Sequence, residues 1–199
     1  MAAPRDVEAH RPVTGHEVLH HGTVFDLVAD RVDLGGQAPV LREYLAHPGA
    51  VGVIALDDED RVLLLSQYRH AVGRELWEPP AGLRDVAGEP DVDAARRELA
   101  EEADLVAGAW WRLVDFYVSP GSSGEHITVF LARDLSPVPL AERFARHDEE
   151  ADMVPVWVPL DDAVAGVLDG SLHCPTTVVG VLAAAAARAR GWSTLTPVV

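Results

Sequence analysis

The sequence predicts an α+β protein with a mixed β-sheet, and three observations support this prediction. Short β-type patterns dominate the first half of the chain, separated by glycine, proline and acidic turn residues. Helical patterns appear later and do not alternate regularly with strands, which disfavours a doubly wound parallel sheet. The first strand patterns are polar, whereas an apolar core pattern begins near residue 48. A small N-terminal antiparallel β subdomain ahead of a main domain is therefore expected.

The strands follow from alternating or continuous apolar runs that end at turn residues. A polar tail at about 1–15 precedes them. Proline and glycine make ELWEPPAGLRDVAGEP a rigid, tightly turned loop rather than a strand. The predicted strands lie in EVLHHG, VFDLVADRVDL, PVLREYLAH, GAVGVIALD, RVLLLSQYRH, WWRLVDFYV, EHITVFLARDL and DMVPVWVPL.

Three helices are predicted from periodicity and from residues that favour helix ends. Asp91 is a suitable N-cap for the first helix, and Pro175 lies in the first turn of the last. The predicted helices span 91–103, 161–169 and 174–190. We expect a tail with a β subdomain at 1–47, the main domain at 48–191 and a C-terminal tail at 192–199.

Composition restricts the possible partners. The formal net charge is 16 minus 32, or −16, which disfavours binding to nucleic acid and to anionic membranes. A phosphate-bearing substrate would then need a metal cation between the two negative partners. Cys174 is the only cysteine, so no internal disulfide is possible and a reducing cytoplasm is expected. No signal-peptide pattern or apolar run of about 20 residues is present, so we expect a soluble protein.

The first helix combines an apolar stripe with a neighbouring acidic stripe. Glu98 and Glu102 stand one helical turn apart, with Glu101 beside them. A donor set made of oxygen alone suits Mg²⁺ or Mn²⁺ better than zinc. A solvated helix face is the alternative, and the helix considered alone favours it. The apolar stripe consists of Val92, Ala95, Leu99 and Ala103.

The loop before this helix favours the metal-binding interpretation. Its tight turns can direct a backbone carbonyl oxygen toward the carboxylates, and Glu89 lies close enough to the helix start to reach the same point. A loop and helix that present several oxygens to one point form a device for binding a metal and a diphosphate.

These residues resemble the Nudix box of the Nudix hydrolases. Gly82 is followed after six residues by Glu89 and after seven more by RELAEEADL. Two features depart from the family pattern: the first spacing is six residues instead of five, and Asp104 replaces a glycine expected to be left-handed. Aspartate tolerates that conformation better than most residues. The resemblance implies a Nudix fold, an α/β/α sandwich with a mixed sheet.

The chain also resembles the ADP-ribose pyrophosphatase subgroup from about residue 14 to residue 190. The similar stretches are the strands before the box, the proline of YVSPG, and the acidic loop RHDEEADM. The resemblance implies hydrolysis of ADP-ribose to AMP and ribose 5-phosphate, with Mg²⁺ or alternatively Mn²⁺ as the cofactor. It also implies a homodimer formed through the N-terminal strands. One alternative is another nucleoside diphosphate derivative, such as a nucleotide sugar. A non-catalytic ADP-ribose sensor is disfavoured because the box keeps its glutamates.

The resemblance also implies roles for individual residues. Metal ligands would be Glu98 and Glu102, with Glu101 and the Ala81 carbonyl in support. Glu150 would be the base, with Glu149 as the alternative, and both could instead belong to a solvated turn. Arg97, Glu89 and Gly82 would support the ligands. Arg69, Glu78 and Glu125 would contact the substrate. The alternatives are that Arg69 is only a surface charge, that Glu78 caps a turn and that Glu125 starts a strand.

Overall fold

The structure is a computed structural model that describes residues 3–36, 38–144 and 153–198. A single 3₁₀ turn at Leu140–Glu142 accompanies the strands and helices of these ranges. In chain order these elements are β1 (Val13–His21), β2 (Asp26–Val32), β3 (Val40–Ala46), β4 (Ala50–Ala55), β5 (Arg61–Arg69), β6 (Arg74–Glu78), β7 (Ala81–Leu83), α1 (Asp91–Ala103), β8 (Leu105–Tyr117), β9 (His126–Pro137), β10 (Pro155–Pro159), α2 (Leu160–Leu168), α3 (Pro175–Arg188) and β11 (Thr196–Pro197).

By its internal contacts the chain divides into two compact units. The first contains the residues up to Pro48 together with Ser119–Glu125. Its strands β1, β2 and β3 form the antiparallel sheet that the sequence predicts. The Ser119–Glu125 segment joins this sheet because the Leu45 N–H donates to the Ser122 carbonyl at 3.0 Å and the Gly124 N–H donates to the Leu45 carbonyl at 3.0 Å.

The second unit contains Gly49–Val118 and the residues from His126 onward. Its larger sheet has the strand order β11-β8-β9-β4-β7, and a smaller sheet has the order β10-β5-β6. Strands β4 and β9 run parallel, whereas the other described pairs of this unit are antiparallel. The sheet is therefore mixed, and the α+β prediction is confirmed.

Strand β4 forms the centre of the core because both of its faces are buried. Val51 and Val53 point to the face that α1 covers, where they meet Leu99. Ile54 points to the opposite face, where it packs in the cluster that contains Val181 of α3. One helical layer thus lies on each side of the sheet, which is the expected α/β/α arrangement.

Helix α1 begins at Asp91 as predicted, but the predicted N-cap is wrong. Pro90 occupies the N-cap position and Asp91 is already helical. The Asp91 carboxylate instead lies 3.0 Å from Nη2 of Arg84 and accepts a hydrogen bond from the Thr128 hydroxyl at 3.2 Å. A tertiary ion pair has replaced the local capping contact.

Helix α1 ends at the residue that departs from the Nudix box. Asp104 is left-handed, with φ 55° and ψ 34°, and its N–H donates to the Ala100 carbonyl at 3.2 Å. The left-handed conformation expected at this position is therefore present without a glycine.

Two parts of the chain contain strands that the sequence did not predict. The expected rigid loop contains β6 and β7, which Pro79 and Pro80 separate because proline cannot donate to a strand ladder. The expected C-terminal tail contributes β11, and the Val198 N–H beyond it donates to the Trp110 carbonyl at 3.0 Å. Each extra strand lies at an edge of its sheet.

The two later helices confirm the prediction to within two residues at each end. Pro175 occupies the first turn of α3, where its missing N–H has no helical partner to lose. In the ranges that the structure describes, none of the helices has the length and apolar character needed to cross a bilayer.

Candidate active site

The candidate site forms where β7 lies against helix α1. Glu98 and Glu102 point inward from α1 and are only 8% and 9% exposed. A solvated helix face, which the helix alone favoured, is therefore wrong for these two residues. Glu101 is more open, with 30% of its side chain exposed. The fold thus selects two of the three glutamates for burial.

The main chain of β7 approaches the buried carboxylates closely. The Ala81 N–H donates to Oε2 of Glu102 at 2.9 Å. A Cβ atom at Gly82 would overlap the Glu98 carboxylate, so only glycine permits this approach. The contact of Ala81 with glutamate is made by its N–H, and the contribution of its carbonyl oxygen as a metal ligand stays a prediction.

Arg97 holds three carboxylates together around its guanidinium. Its Nη1 donates to Glu98 at 2.6 Å and to Glu101 at 3.4 Å, and its Nη2 donates to Glu89 at 3.2 Å. The hydrogen bond to Glu89, followed by the charges of Glu98 and Glu89, raises the pKa of Arg97 above its ordinary value. The positive charge therefore offsets the like-charge repulsion along the helix.

A second ion pair lies at the same end of the site. Arg69 donates from Nε to Oε1 of Glu78 at 2.8 Å and from Nη2 to Oε2 at 2.6 Å, which is a bidentate pair. Glu78 is only 7% exposed, and these hydrogen bonds raise the pKa of Arg69. A small cleft joins this pair to the glutamate site and is lined by Gln67, Arg69, Glu78, Ala81, Glu102 and Met153.

Three further predicted site residues are Glu125, Glu149 and Glu150. Glu149 and Glu150 lie outside the described residues. Glu125 ends the Ser119–Glu125 segment of the first unit, and its N–H donates to Oγ of Ser123 at 3.1 Å. Trp77 is 36% exposed and lines a separate apolar pocket with Val156.

The available donors fit a hard divalent cation. Glu98 and Glu102 offer carboxylate oxygens from adjacent turns, and oxygen donors are those that Mg²⁺ and Mn²⁺ prefer. Across 3–36, 38–144 and 153–198, no group of three carboxylate, imidazole or thiol side chains is already arranged to hold a metal ion. Arg97 and the Ala81 N–H hold the two glutamates, and a cation would bind to the same two carboxylates.

Sequence reasoning missed one group of residues next to the site. Arg84 contacts Asp91 and Thr128 and connects the end of β7 to α1 and β9. Thr128 lies 44 positions after Arg84, so neither periodicity nor a motif could pair them. The charge of Arg84 within a short loop was the only available signal.

Comparison with known proteins agrees with this geometry. A family model described as NUDIX domain matches residues 46–172. An ADP-ribose pyrophosphatase from Mycobacterium tuberculosis is 46% identical over 167 residues, which cover 84% of this chain and 79% of the relative. An ADP-ribose pyrophosphatase from Bacillus subtilis is 36% identical over 148 residues, which cover 74% of this chain and 78% of the relative.

A solved structure supports the fold independently. The crystal structure of an ADP compounds hydrolase superposes with a TM-score of 0.74, covering 94% of this chain and 99% of that chain. At 19% identity the likeness concerns the fold alone.

Proposed function

The chain belongs to the Nudix hydrolase family, and from that premise we propose that it hydrolyses the diphosphate of ADP-ribose to AMP and ribose 5-phosphate. Two relatives with at least 36% identity over most of the chain are ADP-ribose pyrophosphatases, which supports this choice of substrate. The observation that carries the proposal is the burial of Glu98 and Glu102 directly against the main chain of β7.

Glu98 and Glu102 would hold a divalent cation, Mg²⁺ or alternatively Mn²⁺. Glu101 and the Ala81 carbonyl would add further oxygens. When bound, the cation supplies charge neutralisation at the diphosphate and acidifies a water molecule. Arg97 and Glu89 would orient the glutamates without touching substrate, because Arg97 contacts Glu98, Glu101 and Glu89 together.

Glu150 is our proposed general base, with Glu149 as the alternative. It would take the proton of the attacking water while the new P–O bond forms and the bridging P–O bond breaks. One phosphate then leaves with each product, so that AMP and ribose 5-phosphate account for all atoms of ADP-ribose and water.

Arg69, Glu78 and Glu125 are the proposed substrate contacts. The bidentate pair of Arg69 with Glu78 supports the first two, because both side chains line the cleft that contains Glu102. Binding of a phosphate by Arg69 would compete with Glu78 for the guanidinium. We expect Arg69→Met to bind ADP-ribose more weakly, with a higher KM and an unchanged kcat. An unchanged KM would show that Arg69 does not contact the substrate.

We also propose a cytoplasmic homodimer that forms through β1, β2 and β3. Apolar side chains on these strands remain open in the described chain, since Val13 is 53%, Leu19 is 42% and Leu41 is 48% exposed. Light scattering on the purified protein should give twice the 21.4 kDa chain mass. A single-chain mass at micromolar concentration would contradict the dimer.

The activity is tested by incubating the protein with ADP-ribose and Mg²⁺ and separating the products. We expect equal amounts of AMP and ribose 5-phosphate, with no turnover when a chelator removes the cation. A nucleotide sugar should be tested in the same way. Faster turnover of that compound than of ADP-ribose would make it the preferred substrate. Tight binding of ADP-ribose without AMP formation would instead indicate a sensor.

A further inference from the structure

Strand β7 carries the backbone contacts of the candidate site but has little support of its own. It consists of three residues, lies at the edge of its sheet and pairs with β4 alone. Ala81 donates to Glu102 and Gly82 lies against Glu98. Because a hydrogen bond weakens steeply with poor alignment, a small shift of β7 would disturb both glutamates.

Arg84 follows β7 immediately and fixes its end to two other elements. The Arg84 main-chain N–H donates to the Gly49 carbonyl at 3.1 Å. Its Nη2 lies 3.0 Å from the Asp91 carboxylate at the start of α1 and donates to the Thr128 hydroxyl of β9 at 2.6 Å. Thr128, which is 1% exposed, donates in turn to Asp91 at 3.2 Å. The three side chains form a closed set of contacts, the Arg84 clamp.

We propose that Arg84 is a positioning residue for the hydrolytic site. The Arg84 clamp holds β7 at a fixed distance from α1 and so sets the contacts that Ala81 and Gly82 make with Glu102 and Glu98. Arg84 acts through these contacts and not on the substrate itself. The kinetic part of this inference rests on the proposed function, whereas the structural part does not.

The contacts of Arg84 indicate which substitution should preserve the clamp. Nη2 makes the contacts with Asp91, Thr128 and, at 3.4 Å, Nδ1 of His126. Within the described residues, Nε of Arg84 is buried without a hydrogen-bond partner. One terminal nitrogen therefore performs the clamping, and the single ammonium group of a lysine could reproduce it.

The chain offers a matched control in Arg133. Its Nη2 lies 2.9 Å from Asp60, and the two side chains are 29% and 37% exposed, compared with 25% and 39% for Arg84 and Asp91. Within the described ranges, the Arg133 side chain also joins separate elements of the second unit, because it contacts Asp60 and the Trp192 ring and not β7 or α1. Loss of this ion pair should therefore remove comparable electrostatic stabilisation without affecting the site.

The test compares Arg84→Met, Arg84→Lys and Arg133→Met by steady-state kinetics and by hydrogen exchange of the Ala81 amide. We expect Arg84→Met to lower kcat by about 10–100-fold, the range typical of residues that orient metal ligands. KM should stay within about threefold, and Ala81 should exchange faster. Arg84→Lys should restore both properties, and Arg133→Met should change neither. Equal kcat and Ala81 exchange in Arg84→Met and Arg133→Met would overturn the proposal.

Asp91→Asn provides a second variant in case Arg84→Met does not fold. It weakens the same ion pair while keeping the side-chain shape, so its Ala81 amide should also exchange faster than in the original protein. Hydrogen exchange needs neither metal nor substrate. A chain that fails to cleave ADP-ribose would contradict the proposed function, whereas unchanged Ala81 exchange in Asp91→Asn would contradict the clamp.

Discussion

The carboxylate of Glu98 lies against the α-carbon of Gly82, in the space that any other side chain at position 82 would fill. Gly82 is not one of the described glycines with positive φ, so glycine is needed here for close approach rather than for backbone freedom. Glu98 is only 8% exposed, which fixes the carboxylate between helix and strand. This contact joins the acidic face of α1 to the main chain of β7.

Replacing Gly82 by alanine should displace Glu98. The added Cβ overlaps only the carboxylate end of Glu98, which can rotate away, so we expect a stability loss of no more than about 1 kcal/mol but a fall in kcat of up to about 100-fold. Denaturant unfolding and turnover of ADP-ribose measure the two effects. Gly36→Ala is the control, because nothing lies within 4 Å of a Cβ at that position. Normal activity in Gly82→Ala would show that the close approach is unimportant.

Neutralising either buried glutamate should abolish turnover while the fold survives. Glu98→Gln and Glu102→Gln keep a hydrogen-bond acceptor for Arg97 and for the Ala81 N–H but lose the negative charge that a cation requires. The loss of kcat should exceed the roughly 10–100-fold typical of residues outside the metal shell. The melting temperature without metal should be kept or raised in Glu102→Gln, because like-charge repulsion is reduced, whereas Glu98→Gln also loses the ion pair with Arg97.

The exposed Glu142 provides the matched control for these two substitutions. Glu142→Gln removes the same charge from the chain and should leave kcat unchanged. Calorimetric titration with Mn²⁺ should show weaker binding only for Glu98→Gln and Glu102→Gln. If both variants bind Mn²⁺ and turn over normally, the ligand assignment is wrong.

Asp104→Gly should stabilise the protein slightly. Asp104 has φ 55° at the end of α1, a conformation that glycine adopts without steric cost. Its carboxylate also lies 3.9 Å from Nε of Arg143. We expect a gain of about 0.5–1 kcal/mol in the free energy of unfolding. A loss of stability on denaturant titration would show that the aspartate side chain stabilises the protein by more than its left-handed backbone conformation costs.

Cys174 should react slowly with thiol reagents in the folded protein. It is 5% exposed, and burial, followed by the charge of Glu78, raises the pKa of its thiol above the ordinary value of 9.0. At pH 8 only a small fraction of the thiol is therefore in the reactive thiolate form. Labelling should accelerate only as the pH rises toward the raised pKa of the thiol. Iodoacetamide labelling followed by mass spectrometry, with the urea-unfolded chain as reference, provides the measurement. Equal rates in both states would contradict the burial.

The sequence identified the main helices and most strands because their periodicity and end signals are local. It missed β6 and β7, since two prolines and two glycines around them indicate a loop, and their pairing with β5 and β4 depends on distant residues. The prediction of Asp91 as the N-cap of α1 was wrong for a related reason. Asp91 is a good local cap, yet the ion pair with Arg84 takes its carboxylate.

At the candidate site, sequence and structure contributed different parts. Spacing and resemblance pointed to Glu98 and Glu102 together, but the helix alone favoured a solvated face. Burial of Glu98 and Glu102 against β7 excluded the solvated face for these two residues, whereas Glu101 is partly exposed. The base remains a prediction, because Glu149 and Glu150 lie outside the described residues.

The sequence by itself determined the fold class, the helical spacing of the glutamates and the family resemblance. These depend on residue order along the chain and on helical and strand periods that neighbouring residues set. Only the tertiary structure decided that Gly82 receives the Glu98 carboxylate and that Arg84 joins Asp91 to Thr128. Such contacts arise when the sheet brings distant segments within a few ångströms, and no local pattern encodes that distance.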